Sequence, residues 1–279
     1  MKLNFTKMHG CGNDYIYFDC FDKMLENPEE LAIKLSDRHF SIGGDGIVLI
    51  CPSDIADGKM RMFNIDGSEG KMCGNAIRCV GKYLHDVRKI DKDVITVETL
   101  SGIKTLKLSF ENGQTVMAQV DMGAPILGGR DIPTTFDMDK VVGCPLVVEG
   151  KEYKVTCVSM GNPHCIVFVD SPANMELSQI GPKFENHSAF PERINTEFIK
   201  VINDHEIEMR VWERGSGETL ACGTGACAAA VACVLNGYCP RNEEIKVNLR
   251  GGSLYITWTD DSVIMKGSAT IAFTGEVEI

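Results

Sequence analysis

Two stretches decide the fold: Gly67-Ser68-Glu69-Gly70-Lys71-Met72-Cys73-Gly74-Asn75 and Ser216-Gly217-Glu218-Thr219-Leu220-Ala221-Cys222-Gly223-Thr224-Gly225. In each stretch a glutamate is followed by three residues and then by Cys-Gly and a small polar residue. Each stretch leads directly into apolar residues at helical spacing. The two cysteines are 149 residues apart (222 − 73). The chain therefore contains the same sequence motif twice.

The same offset relates residues far from the two cysteines. Turn glycines and their neighbours keep register across half of the chain, which is typical of a duplicated domain. A chain of 279 residues is long enough for two ordinary domains. We therefore expect two related halves with one site at their junction. The further matched positions are Gly12-Asn13 with Gly161-Asn162, Arg61 with Arg210, Asn64 with Glu213, Leu100 with Leu249 and Gly102 with Gly251.

Composition and charge exclude several classes of partner. The formal net charge of −11 argues against nucleic acid and against anionic membranes, because both attract positive surfaces. The N-terminal residues lack the apolar run and small-residue cleavage site of a signal peptide. The longest apolar run, Ala226 to Leu235, is about half of the ~20 residues that a membrane span needs. We expect a cytoplasmic protein that acts on a small molecule.

Twelve cysteines invite interpretation as disulfides or metal ligands. Without an export signal, disulfides are disfavoured because the cytosol keeps thiols reduced. There is no Cys-x-x-Cys and no zinc-like spacing, so we predict no metal site. Most of the cysteines are predicted to be small core residues. These are Cys20, Cys51, Cys144, Cys157, Cys233 and Cys239, among others.

Apolar spacing predicts four helices among many strands. The helices are expected from Asn27-Pro28 to about Asp37, over Asn75–His85, near Met175–Gly181, and over Gly225–Asn236. The last of these is almost wholly apolar, so it should be buried on all sides. A helix wrapped in its own sheet would have such a composition.

A cysteine at the start of a helix suits proton transfer. The unpaired N–H groups and the helix dipole favour the thiolate, and the same N–H groups form a nest for a carboxylate. With two such sites facing one cavity, one thiolate could remove an α-proton while the opposite thiol delivers a proton to the other face. The pair would invert a stereocentre, and no pyridoxal cofactor is needed in this scheme.

Five stretches resemble the diaminopimelate epimerase family and span nearly the full chain. They are Met8–Asp14, Phe63–Glu69, Met72–Asn75, Ser159–Cys165 and Glu213–Gly225. The resemblance implies cofactor-independent interconversion of LL- and meso-diaminopimelate in lysine biosynthesis by a homodimer. It implies an α/β fold of two pseudo-symmetric halves, each a mostly antiparallel sheet around a central helix, with the active site in the cleft between them. The implied halves are 1–121 with 268–279, carrying Cys73, and 122–267, carrying Cys222.

The resemblance also assigns roles to residues. Cys73 and Cys222 become the acid–base pair, and the backbones of Gly74-Asn75 and Gly223-Thr224 hold the reacting carboxylate. His164 and Glu213 resemble residues that adjust the pKa values of the two thiols. One departure is Gly46, which has no side chain where some relatives carry a polar one. The residues implied to hold the amino groups and the distal carboxylate are Asn13, Asn64, Asn162, Asn195, Glu213 and Arg214.

Three other interpretations remain open from the sequence. A proline or hydroxyproline racemase of the same scaffold would share the paired cysteines but has no use for a distal-carboxylate clamp such as Arg214. A cysteine hydrolase or transferase could use His164 with one cysteine, but it needs only one nucleophile. A redox protein could join Cys73 and Cys222 in a regulatory disulfide.

Overall fold

The computed structural model describes residues 2–279, and the chain divides into two compact units. Unit 1 comprises Met1–Asp121 with Lys266–Ile279, and unit 2 comprises Met122–Met265. Strands predominate in both units, and four α-helices lie within the described residues. The predicted α/β class is confirmed.

Unit 1 is built mainly from the first part of the chain. Its helices are α1 (Pro28–Ser36) and α2 (Gly74–Asp86). Its strands are β1 (Lys2–Gly10), β2 (Asn13–Asp19), β3 (Gly46–Cys51), β4 (Gly58–Asn64), β5 (Glu69–Gly70), β6 (Val94–Thr99), β7 (Gly102–Glu111), β8 (Gln114–Asp121) and, from the end of the chain, β18 (Thr270–Glu278).

Unit 2 holds the remaining elements. Its helices are α3 (Leu177–Glu185) and α4 (Gly223–Leu235), with a 3₁₀ turn at Pro172–Asn174. The last residues of its final strand, β17, belong to unit 1. The strands are β9 (Cys144–Val148), β10 (Lys151–Ser159), β11 (Pro163–Phe168), β12 (Asn195–Asn203), β13 (Glu206–Glu213), β14 (Gly217–Glu218), β15 (Glu244–Leu249), β16 (Gly252–Trp258) and β17 (Val263–Ser268).

The two units repeat one order of strand pairing. In unit 1, β2 is parallel to β3 and β4 is parallel to β6, as β11 is to β12 and β13 to β15 in unit 2. Antiparallel pairs join β1 to β2 and β3 to β4, as they join β10 to β11 and β12 to β13. The outer neighbour of β1 is β18, and that of β10 is β9. The duplication in the sequence is thus a duplication of topology.

Helices α2 and α4 occupy equivalent places in the two units. The N-caps are Cys73 and Cys222, each with an extended backbone. Helix α2 packs against β1, β6 and β8, and α4 packs against β10, β11, β12 and β16. Residues 225–233 of α4 are all buried, which confirms the burial predicted from its apolar composition.

Helix α3 extends further than the sequence predicted. It runs through Pro182 to Glu185 instead of ending near Gly181. A Cβ at Gly181 would lie 2.3 Å from the Trp212 ring, so the helix packs tightly on β13 at this point. The Trp212 Nε1–H also donates to Glu185 Oε2 at 2.8 Å. Tertiary contacts on both sides of the proline therefore maintain the helix, despite the N–H group that proline lacks.

The hairpin between β1 and β2 has a loop of two residues. Its two loop residues are Cys11 (φ 53°) and Gly12 (φ 81°), and Gly10 pairs with Asn13 across the ladder. A two-residue loop with positive φ at both positions matches the twist of the flanking strands. Asn13 is consequently the first residue of a strand, not a turn residue.

The internal offset changes after the central helices. The sequence matched Gly102 with Gly251, but Thr99 pairs with Gly102 and Leu249 pairs with Gly252 across the corresponding hairpins. Gly102 and Gly252 are therefore the equivalent residues, 150 apart (252 − 102). Unit 2 contains one additional residue between α4 and this turn.

The glutamates of the two cysteine stretches form equivalent ion pairs. Arg61 on β4 binds Glu69 through two hydrogen bonds, of 2.7 and 3.1 Å. Arg210 on β13 binds Glu218 in the same way, at 2.8 and 3.0 Å. Bidentate pairs of this kind fix geometry as well as charge. Each pair thus holds the turn that leads to the cysteine against the preceding strand.

Gly46 begins β3 in a conformation that leaves no room for a side chain. Its φ is +150°, and a Cβ built there would lie 2.1 Å from the carbonyl oxygen of Phe63. The added Cβ would also lie 2.9 Å from the ring of Tyr15. The absence of a polar side chain at this position is therefore a steric requirement of this backbone.

We expect Gly46→Ala to destabilise the protein by about 2 kcal/mol or more, because the backbone of Phe63 must move. The comparison is Gly113→Ala, at a hairpin glycine with φ +74° and open space around its Cβ, which should cost about 1 kcal/mol from φ alone. Urea denaturation measures both. An equal or smaller loss at Gly46 would contradict the close approach.

Candidate active site

The Cys73 thiol lies at the start of α2 in unit 1. Its Sγ accepts a hydrogen bond from the Ala76 backbone N–H at 3.5 Å and donates to Asn13 Oδ1 at 3.4 Å. None of the twelve cysteines, all within residues 2–279, forms a disulfide, and Cys73 alone among them is not buried. The structure thus distinguishes this thiol from the core cysteines and places Asn13 beside it.

Asn13 is held in one amide orientation. Its Nδ2 donates to Asp45 Oδ2 at 2.7 Å, and Arg38 Nη2 donates to Asp45 Oδ1 at 2.8 Å. Because an ionised carboxylate accepts but does not donate, the amide nitrogen must face Asp45. The amide oxygen of Asn13 is thereby turned towards Cys73.

A buried arginine supports the turn that follows Cys73. The Arg78 side chain is fully buried in α2. Its guanidinium donates to Gly74 O at 3.0 Å, to Asn75 Oδ1 at 2.8 Å and to Ser268 O at 3.2 Å. The candidate carboxylate cradle of Gly74-Asn75 is therefore rigid and has a positive charge next to it. Arg78 was absent from the sequence-predicted site.

Asn64 lies at the end of β4, one turn before Cys73. Its side-chain amide donates to Ser68 Oγ at 3.0 Å, and its backbone N–H donates to Ser68 O at 2.9 Å. The side-chain hydrogen bond of Asn64 thus lies within its own turn, whereas Asn13 contacts the thiol directly.

The Cys222 thiol lies at the start of α4 in unit 2. Its Sγ accepts from the Gly225 N–H at 3.4 Å and lies 3.5 Å from Thr224 Oγ1. Burial raises the pKa of this thiol well above its ordinary value, and the nearby carboxylates of Glu213 and Glu197 raise it further. Cys222 therefore retains its proton more strongly than an exposed cysteine does.

Glu213 lies at the end of β13 and contacts Cys222. Burial raises the pKa of its carboxyl group, and this effect outweighs the hydrogen bonds from Thr219 and Cys222 and the attraction of His164. Glu213 thus bonds to Cys222 within unit 2, and the role of His164 and Glu213 in adjusting the pKa values of the two thiols stays a prediction.

His164 is fully buried on β11 with oxygen atoms at both ring nitrogens. Nδ1 lies 2.7 Å from Glu197 Oε1, and Nε2 lies 3.1 Å from Asn162 Oδ1. Glu197 was missed from the sequence. One signal could have identified it: it is a carboxylate within a buried strand, two residues after Asn195 and so on the same face.

Asn195 connects three strands at the edge of this site. Its Nδ2 donates to Pro163 O at 2.8 Å, and its Oδ1 accepts from the Arg214 N–H at 2.9 Å. The Arg214 guanidinium donates to Glu192 O at 2.9 Å through Nη1. Of its five N–H donors, four therefore remain for other partners.

Neither a metal cluster nor a membrane span is found in the part of the chain that the structure describes. Within residues 2–279, no group of three or more His, Cys, Asp or Glu side chains is placed to hold a metal ion. Among the same residues, no helix has the length and apolar character needed to cross a membrane.

Comparison with known proteins identifies the family of this sequence. A family model described as diaminopimelate epimerase matches residues 5–127 and 156–272. The diaminopimelate epimerase of Acetivibrio thermocellus is 56% identical over 279 residues, covering 99% of both chains. That of Methanococcus maripaludis strain C5 is 52% identical over 279 residues, covering 99% of this chain and 100% of the relative.

Solved structures share the fold at low sequence identity. A PhzF-family phenazine biosynthesis protein from Enterococcus faecalis has a TM-score of 0.72 at 13% identity, covering 100% of both chains. A probable proline racemase from Agrobacterium radiobacter K84 has a TM-score of 0.71 at 13% identity, covering 99% of this chain and 93% of the other. At this identity the likeness is one of fold alone.

The raised pKa of Glu213 predicts how its removal changes stability with pH. A carboxyl group whose pKa is higher in the folded state favours folding while protonated, and that contribution is lost as pH rises through the folded value. The Glu213→Gln variant lacks the carboxyl group, so its free energy of unfolding does not lose this contribution as pH rises. We therefore expect its free energy of unfolding, relative to wild type, to increase as pH rises through the range above the ordinary glutamate value.

Glu218→Gln provides a control of opposite sign, because hydrogen bonds from Arg210 lower the pKa of Glu218. Its free energy of unfolding should fall relative to wild type as pH rises through the range below the ordinary value. Urea denaturation at a series of pH values measures both variants. A pH-independent difference for Glu213→Gln would contradict the effect of burial on this carboxyl group.

Proposed function

This chain belongs to the diaminopimelate epimerase family, and we propose that it interconverts LL- and meso-2,6-diaminopimelate by proton transfer between its α-carbon and the thiols of Cys73 and Cys222. The reaction is an amino-acid isomerisation in lysine biosynthesis. The single observation that carries the two-thiol mechanism is that both cysteines are N-caps of the equivalent central helices of a duplicated fold.

The helix starts supply the electrostatics of the reaction. Removing an α-proton places negative charge on the adjacent carboxylate, and preorganised N–H groups stabilise such charge. The backbones of Gly74-Asn75 and Gly223-Thr224 follow the two cysteines at the N-terminal ends of α2 and α4. We assign to them the reacting carboxylate. The proposal requires the two thiols to reach opposite faces of one α-carbon.

The surroundings of the two thiols favour different protonation states. Cys222 is buried beside Glu213 and its pKa is raised, so we assign it as the thiol that donates a proton. Cys73 is partly exposed and its turn is held by the buried Arg78 guanidinium, so we assign it as the thiol that ionises more readily. After one turnover the two protonation states are exchanged, and the reverse reaction restores them.

Asn13 connects substrate binding to the ionisation of Cys73. In the substrate-free protein its Oδ1 accepts from the Cys73 thiol, which favours the protonated form. A substrate ammonium group is a stronger donor to the same oxygen. Binding of that ammonium group would therefore release the thiol from its acceptor and favour the thiolate when substrate is present.

The remaining residues suit the distal end of the substrate. Arg214 offers guanidinium donors to a carboxylate, and Glu213 offers an acceptor to an ammonium group. The asparagines at positions 64, 162 and 195 supply amide contacts in this proposal. A site with an arginine clamp favours a substrate with two carboxylates over proline or hydroxyproline. No pyridoxal cofactor takes part in the scheme, and we extend the proposal to a cytoplasmic homodimer.

Deuterium exchange tests the proposal. In deuterated water with reductant and without pyridoxal phosphate, wild-type protein should convert LL-diaminopimelate to the meso isomer with deuterium at the α-carbon. Cys73→Ala and Cys222→Ala should each lower the rate of epimerisation by about 10³-fold or more, because each removes one of two proton-transfer groups. Mass spectrometry measures the deuterium at the α-carbon, and chiral chromatography measures the amount of the meso isomer.

Cys227→Ala is the matched control, since it removes a buried thiol from the same helix one turn beyond its start. It should retain activity within a few fold. Proline and alanine, as substrates of the wild type, should show no exchange. Failure of reduced, folded wild-type protein to exchange the α-proton of diaminopimelate would exclude the substrate assignment. Epimerisation by either single-thiol variant at a rate within a few fold of wild type would exclude the two-thiol mechanism.

A further inference from the structure

Four charged side chains of unit 1 form a network of ion pairs behind Asn13. Asp14 accepts from Arg38 at 2.6 and 3.2 Å and pairs with Lys7 at 2.6 Å. Arg38 also donates to Asp45 at 2.8 Å, and Asp45 accepts from the Nδ2 group of Asn13 at 2.7 Å. Two cations balance two carboxylates, so the network has no net charge. It therefore acts through the positions of its atoms more than through a net electric field.

The network fixes the segment between α1 and β3 against β1 and β2. The Lys7 side chain is buried and donates to the carbonyl oxygen of Gly43. A Cβ at Gly44 would lie 2.7 Å from Lys7 Nζ, so glycine makes room for the ammonium group at this position. The Asp45 N–H donates to Asp14 O at 2.7 Å, and the Asp14 N–H donates to Asp45 Oδ2 at 3.1 Å. Asp45 is thus held by two hydrogen bonds with the backbone in addition to its ion pair.

The contacts of Asp14 and Asp45 are those of ionised carboxylates. Burial raises the pKa of Asp14, but hydrogen bonds from Arg38 and Lys7 outweigh this effect and lower the pKa below its ordinary value. Asp45 is partly exposed, and its two oxygen atoms face the Arg38 guanidinium and the Asp14 backbone N–H, both of which can only donate. Water and a neighbouring cation both favour the ionised form. Because such a carboxylate cannot donate, Asn13 faces it with its NH₂ group and not with its oxygen.

The network has no counterpart at the equivalent positions of unit 2. The offset of 149 residues places a threonine, a proline, a histidine and an isoleucine there, so both carboxylates are lost. The acceptor that holds the amide nitrogen of Asn13 is therefore specific to the unit that carries Cys73. The residues at the positions of Lys7, Asp14, Arg38 and Asp45 are Thr156, Pro163, His187 and Ile194 (156 − 7, 163 − 14, 187 − 38 and 194 − 45).

We propose that Asp45 is a positioning residue that fixes the Asn13 amide with its oxygen towards Cys73, where the substrate ammonium group is bound. Without the carboxylate, the Arg38 guanidinium and the Asp14 N–H would still face the amide, and an oxygen would suit these donors better than an NH₂ group. The amide would then reverse and present its own donors to the thiol and to the ammonium group. This inference rests on the proposed function for the ammonium group, but not for the direction of the amide.

Alkylation of Cys73 by iodoacetamide tests the direction of the amide without substrate. In the wild type the Asn13 oxygen accepts from the Cys73 thiol, whereas a reversed amide would donate to the thiolate. For Asp45→Ala we therefore expect the pH midpoint of Cys73 alkylation to fall by on the order of one pH unit. Loss of a nearby negative charge also lowers the midpoint, and the same substitution in an Asn13→Ala background measures that effect alone. The midpoint should fall much less in that background, and equal shifts in the two backgrounds would overturn the proposal.

Kinetics test whether the direction of the amide matters for the substrate. For Asp45→Ala we expect KM for diaminopimelate to rise on the order of tenfold with a smaller change in kcat, because the ammonium group loses its hydrogen-bond acceptor. In the Asn13→Ala background, Asp45→Ala should cause no further rise in KM, since the two side chains act through one contact. Independent effects of the two substitutions, each raising KM by its own factor in the double variant, would overturn the proposal.

Asp57→Ala is the matched control for general destabilisation. Asp57 is another carboxylate of unit 1 that pairs with a lysine, Lys92, and accepts a backbone N–H, that of Thr96 at 2.8 Å. Its side chain is less exposed than that of Asp45 (12% against 39%), so its loss should destabilise the fold at least as much. The control should keep KM and the alkylation midpoint of Cys73 close to wild type, and shifts equal to those of Asp45→Ala would overturn the proposal. If the alkylation results hold and diaminopimelate is not turned over, the proposed function fails and the positioning of the amide stands.

Discussion

The constraint on which the rest of the structure depends is the pair of helix starts capped by cysteine. A helix leaves its first N–H groups without intrahelical partners, and a thiol at the N-cap lies within reach of them. Cys73 and Cys222 each accept from the N–H three residues ahead. To hold such a thiol in place, the helix must be surrounded by its own strands, and the turn that precedes it must be fixed. The buried helices and the paired Arg–Glu bridges meet these requirements in both units.

The duplicated scaffold carries unequal charges. In unit 1 the buried Arg78 supports the cysteine turn, and the offset of 149 places Cys227 at the same position of unit 2 (227 − 78). In unit 2, Glu213 stands where unit 1 has Asn64. The positions at which the repeat differs thus place different charges beside the two thiols, whereas the positions that it preserves include the Arg–Glu pairs that hold the cysteine turns.

Much of this architecture could be predicted from the sequence because it depends on local signals. The Glu-x-x-x-Cys-Gly stretches, the apolar composition of 225–236 and the repeated glycines each specify their own neighbourhood. The side chains that were missed are charged: Arg78 and Glu197, which are fully buried, and Asp45, which is partly exposed. Their roles depend on which residue lies opposite them across a strand or beneath a helix, and no local pattern contains that information. The same reason explains the error at Gly251, since a one-residue insertion is visible only in the pairing of β15 with β16. The assignments of substrate-binding residues remain predictions.

The central claim is that Cys73 ionises at a lower pH than Cys222, and site-resolved alkylation measures it most directly. Substrate-free protein is treated briefly with iodoacetamide across a range of pH, and mass spectrometry gives the alkylation rate of each thiol. The pH at which each rate is half of its own maximum depends on ionisation and not on the difference in exposure, because only the thiolate reacts. The electrostatic asymmetry predicts a lower midpoint for Cys73. Equal midpoints, or a lower midpoint for Cys222, would contradict it.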